Sequence, residues 1–171
     1  MNRAAGRRLT VAVVVVLLSQ GVPAAAQTVG QAFKRVNSSV VVVRTTESEV
    51  SARDLVSIPG VGSGVLISPD GRVLTAAHVV HTADEINVEF LDGTIVRATV
   101  IASEPEADVA LLRLDRVPEA AVVATLGDSD GAEVGDQVFV VGAPYGIGHT
   151  LTVGHISARH KPNTIYSGMS L

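Results

Sequence analysis

The stretch VGSGVLISPDGRVLTAAHVV, from Val61 to Val80, holds two short apolar runs, a turn and one histidine. Val65, Leu66 and Ile67 follow a Gly-Ser-Gly and read as a strand. Ser68-Pro69-Asp70-Gly71 then places proline at position i+1 and glycine at i+3, as a type I turn favours. Arg72, Val73 and Leu74 make the return strand of a hairpin. Thr75-Ala76-Ala77 supplies small side chains where the backbone bends, so His78 leaves a strand end.

Further along, Glu85–Leu91 and Thr94–Ile101 flank Asp92-Gly93, which predicts a second hairpin with a two-residue type I′ turn. Ser103-Glu104-Pro105-Glu106-Ala107 leads to Asp108, immediately before the apolar run Val109–Leu114. By position alone Asp108 is a turn residue. Gln137–Val141 and Leu151–Arg159 read as later strands. Residues 46–59, with Glu47, Glu49, Arg53 and Asp54, show no apolar period and read as a surface loop. Before them, Thr28 is placed to cap a short helix whose apolar face is Val29, Phe33 and Val36. Val40–Val43 is too uniformly apolar for a strand with a solvated face.

At the start of the chain, Arg3, Arg7 and Arg8 precede the apolar run Leu9–Leu18, and Ala24-Ala25-Ala26 offers a small-residue cleavage site. Residues 1–26 are expected to be a secretory signal peptide, leaving a domain of residues 27–171. The run breaks at Ser19, Gln20 and Gly21, short of the ~20 apolar residues that a membrane span needs. The Arg7-Arg8 pair leaves both the general and the twin-arginine export routes open.

Removing those residues takes three arginines and no acids, leaving 10 basic residues against 17 acidic ones. A formal charge of −7 argues against nucleic acid as a partner. With no cysteine, an exported domain must derive its stability from burial rather than disulfides. Aromatic residues are 3% of the chain and glycines number 16, which favours a turn-rich β fold with an aliphatic core.

The TAAHVV run at His78, led by Gly-Ser-Gly, and the EADVALLRL run at Asp108 resemble the histidine and aspartate motifs of trypsin-like serine proteases of the bacterial HtrA/Deg type. Gly142-Ala143-Pro144-Tyr145-Gly146 and Leu151-Thr152-Val153-Gly154-His155-Ile156-Ser157-Ala158 are similar to that family's entry into its second barrel. The resemblance runs from Val29 to Ala158. It implies an all-β, chymotrypsin-like double β-barrel fold, here the first barrel and the start of the second, preceded by a short helix. It also implies an exported serine endopeptidase acting on unfolded or extended polypeptides, with His78 as general base and Asp108 as its orienting carboxylate. Homotrimers are a further family trait.

The family's nucleophile loop, Gly-Asn-Ser-Gly-Gly, does not occur in these 171 residues. Ser167 sits in a Tyr-Ser-Gly without a family counterpart and reads as a loop serine. The domain is therefore expected to be truncated before the nucleophile loop, and the chain to be inert by itself. A periplasmic peptide-binding module without catalysis is the alternative. His78 and His81 form a His-x-x-His pair that could recruit Asp84 to a metal, but a zinc site usually shows a third strong ligand with defined geometry. No cofactor or metal is expected.

Overall fold

The structure, a computed structural model, describes residues 28–50, 55–143 and 149–159. The expected cleavage site, the Pro144-Tyr145-Gly146 part of the barrel crossover and Ser167 lie outside them.

Helix α1 (Val29–Val36) opens with the predicted cap. Thr28 Oγ1 accepts the Gln31 N–H, and Gln31 Oε1 accepts the Thr28 N–H, so two donors of the first turn are satisfied reciprocally. A single 3₁₀ turn at Asn37–Ser39 leads into strand β1 (Val40–Val50). The chain continues through β2 (Leu55–Leu66), β3 (Arg72–Thr75), the one-turn helix α2 (Ala77–Val80), β4 (Glu85–Glu89), β5 (Ile95–Glu104) and β6 (Val109–Leu114). Two further strands, β7 (Gln137–Gly142) and β8 (Thr150–His155), follow.

Strands β1 to β6 close into an antiparallel barrel in the order β1-β2-β3-β6-β5-β4. Its interior is aliphatic, with Val41, Val43, Leu66, Val73, Val88 and Leu112 fully buried. Alternation along β6 sends Ala110, Leu112 and Leu114 inward, as a period of two requires. Val40 and Val42 face outward from β1 yet are buried as well, because β7 lies against β1 and β2 there. The unbroken valine run thus has both faces covered.

Opposite Val41, Val43 and Thr45, β2 presents Gly64, Gly62 and Gly60. A Cβ at Gly62 would stand 2.5 Å from the Val79 side chain, so only glycine lets α2 close over the barrel end.

Two sequence expectations need correction. Residues 46–50 and 55–59 are not loop: they extend the β1–β2 ladder, with Glu47 opposite Ile58 and Glu49 opposite Val56. Charged and apolar residues share one face there, which hid the alternation. The β4–β5 connection is not a two-residue type I′ turn, since Gly93 has φ +82 and Asp92 is not in the positive-φ region. The Gly93 N–H instead donates to Phe90 O and the Phe90 N–H to Thr94 O, a three-residue loop ending in a left-handed glycine. The Ser68–Gly71 turn forms as expected, with Gly71 N–H donating to Ser68 O at 3.1 Å and Gly71 at φ +84.

Candidate active site

His78 and Asp108 reach one place from two hairpins. β3 ends at Thr75, Ala76 remains extended, and His78 is the second residue of α2 rather than the last of a strand. Asp108 lies in the connection between β5 and β6, after a 3₁₀ turn at Pro105–Ala107. β3 and β6 are adjacent, Thr75 pairing with Ala110, which brings the two connections to the same rim of the barrel.

Asp108 has φ +51 and ψ 43, the sole non-glycine residue among the described ones with positive φ. Aspartate tolerates that conformation better than most residues because its short side chain bonds locally. Here it aims the carboxylate at α2. Ala76 has no side chain able to cap that helix, and Asp108 Oδ1 takes the vacancy by accepting the His78 backbone N–H at 2.9 Å. The same carboxylate faces the imidazole, with Nδ1 2.7 Å from Oδ2 and 3.0 Å from Oδ1. An ionised carboxylate only accepts, so Nδ1 carries the proton and Nε2 bears the lone pair.

The His78 backbone N–H, followed by the imidazole, holds the Asp108 carboxyl below the usual carboxylate range, outweighing a small opposing effect of desolvation. Both side chains are open to solvent, His78 at 73% and Asp108 at 51%. Beside them is a hollow of about 280 Å³ lined by Ala77, His78, His81, Thr82, Pro105 and Asp108. His81 is exposed at the end of α2 and joins no ligand cluster. Asp84 is turned away to accept the Ser48 N–H at 2.7 Å. Among the described residues, no three His, Cys, Asp or Glu side chains group as a metal site.

Residues 62–170 match the family model described as the trypsin-like peptidase domain. This chain belongs to the trypsin-like peptidase domain family. Among curated relatives, a probable periplasmic serine endoprotease, DegP-like, of Halomonas elongata is 42% identical over 107 residues, covering 61% of this chain and 22% of that protein. The corresponding protein of Pseudomonas putida is 43% identical over 109 residues, with the same coverage. The chain therefore spans about a fifth of the length of these relatives. A solved structure of a variant of the HtrA-type protease AlgW with a decapeptide superimposes with a TM-score of 0.72 at 29% identity, covering 82% of this chain and 48% of that one. This domain is thus of the HtrA type, with the chymotrypsin-like barrel that its motifs implied, and its DegP-like relatives are named as periplasmic.

Two features of the site escaped the sequence. Asp108 also serves as the cap of α2, a role only the left-handed turn reveals. Ser63 links β3 to the segment after β7: Thr75 Oγ1 donates to Ser63 O at 2.8 Å, and the Ala143 N–H donates to Ser63 Oγ at 2.8 Å. A serine between two glycines was the visible signal.

Proposed function

We propose that this chain carries the base and the orienting acid of a periplasmic serine endopeptidase, with residues 1–26 removed on export. The observation that carries the proposal is the 2.7 Å contact between His78 Nδ1 and Asp108 Oδ2. Such a pair fixes one imidazole tautomer and stabilises the imidazolium formed when the ring takes a serine proton through Nε2. His78 is the general base, and Asp108 stays ionised throughout.

The serine and the backbone N–H groups that hold the oxyanion are not supplied by the 171 residues, which contain no Gly-Asn-Ser-Gly-Gly. Loss of a catalytic serine alone lowers kcat about 10⁶-fold in a well-studied unrelated protease. The 171 residues by themselves are accordingly inert, and a chain that also supplies the nucleophile loop would be the enzyme. Unfolded or extended polypeptide is its substrate, a view supported by the decapeptide named with the AlgW structure. Trimerisation follows the family pattern.

The test uses a chain that supplies the nucleophile loop, obtained from the reading frame or by joining a family-like second barrel, with an unfolded protein as substrate. His78→Ala abolishes turnover, Asp108→Asn lowers kcat by about 10⁴ as in the general template, and His81→Ala stays within a few-fold of the parent. Retained activity in His78→Ala with loss in His81→Ala would overturn the assignment. A chain with that loop that binds extended peptides without cleaving them would make it a binding module instead.

A further inference from the structure

We propose that Ser63 is a positioning residue: it fixes Ala143, just after β7, against the strand end that leads to His78, and so sets how the β7–β8 ribbon faces the His78–Asp108 pair. This rests on the assignment of base and acid above.

Ser63 lies on the outer face of β2, opposite Val42. Its two oxygens point to two different parts of the molecule. The carbonyl accepts the hydroxyl of Thr75, the buried last residue of β3, three positions before His78. The hydroxyl accepts the N–H of Ala143, which is 1% exposed and stands just past the last β7–β8 pair, Gly142 with Thr150. A buried N–H outside any ladder has to find an acceptor, and Ser63 Oγ is the one it finds. Close approach is required as well. A Cβ on Gly142 would come within 3.1 Å of Ser63 Oγ, tighter than ordinary contact, so the glycine keeps the path to the hydroxyl open.

The other side-chain hydrogen bond between the ends of the β7–β8 ribbon and residues 28–114, among the described residues, joins His149 to Asn37 on the 3₁₀ turn after α1. That bond fixes β8 to the N-terminal segment and has no link to the β3 end. Among the described residues, Ser63 is the one whose hydrogen bonds join Ala143 to the side chain of Thr75 on β3. A displacement of Ala143 would therefore be felt at Thr75, and a base misplaced by about 1 Å costs on the order of 100-fold in rate.

Two measurements test this. In the 171-residue chain, Ser63→Ala should accelerate amide hydrogen exchange at Ala143 at least tenfold and leave the β3 and β6 amides unchanged. In a chain that supplies the nucleophile loop, Ser63→Ala should lower kcat 10- to 100-fold with KM within threefold, and Ser63→Thr, which keeps the oxygen, should restore most of the loss. A kcat within twofold of the parent in Ser63→Ala overturns the proposal, as does Ser63→Thr as impaired as Ser63→Ala. Acceleration of barrel amides together with Ala143 also overturns it, because the serine would then be a general stabiliser. His78→Ala, run alongside, separates the failures. If it keeps activity, the catalytic assignment falls; if it is dead while Ser63→Ala is normal, only the positioning role falls.

Discussion

The six-stranded barrel and the β7–β8 ribbon are written in the same valine-rich vocabulary, yet the barrel buries its valines and the ribbon shows them. Val40 to Val43 on β1 are all buried, whereas Val140, in the middle of β7, is 67% exposed. The local sequences do not account for this. What differs is the number of covered faces: β1 has the barrel interior on one side and β7 on the other, while the ribbon is two strands with one face on the barrel. Burial is conferred by closure, and an apolar strand is only a candidate for it. The consequence for function is a division of labour, since His78 and Asp108 stand on the closed part and depend on its rigidity.

The largest expected effect sets the two regions directly against each other. Leu112→Ala, at a fully buried barrel position, should cost about 2–5 kcal/mol in urea unfolding, the usual range for a large-to-small change in a core. Val140→Ala should stay within about 0.5 kcal/mol. Equal costs would show that the ribbon is as well packed as the barrel and dissolve the contrast.

Glycines give the next test. Gly62→Ala forces a methyl onto Val79 and should cost about 1–3 kcal/mol, with a shift of the His78 imidazole resonances because α2 must move. Gly154→Ala on β8 has nothing within 4 Å of the added carbon and should change stability by no more than about 0.5 kcal/mol. A tolerated Gly62→Ala would mean that α2 does not press on the barrel end.

Much of the barrel was legible beforehand, and the reasons are local. Ser68–Gly71 carried its own turn chemistry, Thr28 its cap, and Val40–Val43 a run that only a strand covered on both faces tolerates. Where partners decide, legibility fails. Glu47 and Glu49 become strand because Ile58 and Val56 lie across from them, information absent from either segment alone. At the candidate site the residue identities were readable through motifs. The conformation that serves them was not: the left-handed backbone of Asp108, its bond to the His78 N–H and the reach of Ser63 to Ala143 all come from contacts distant in sequence.

A smaller effect sharpens the boundary between the regions. Thr28→Ala deletes the hydroxyl that caps α1, the helix that lies against β7, and should cost about 1 kcal/mol. Protection should fall in α1 and β7 before it falls in β1 to β6, as hydrogen exchange would record. Loss spread evenly over the barrel would contradict the separation.

The smallest effect is that of pH. The Asp108 carboxyl is held below its ordinary value in the folded chain, so the unfolded state binds its proton more readily as the solution is acidified. Its contribution to stability is complete above the unfolded-state value near 3.9 and is lost as pH falls through the lower folded value. Asp108→Asn should therefore flatten the acid limb of the stability profile while leaving its slope above about pH 6 unchanged. An unchanged acid limb would show that the carboxylate is not engaged as described.

Barrel closure also dictates an order of events in time. β1 finds its second neighbour only in β4, and β6 has to slot between β3 and β5, so the ring is not complete until Leu114 is available. At synthesis rates of ~5–20 residues per second, the valines of β1 wait several seconds for their last partners. During that interval they form a sticky, one-sided sheet, the kind of surface that pairs with other chains. Until the ring closes, the chain's solubility is governed by how fast six strands can find one another.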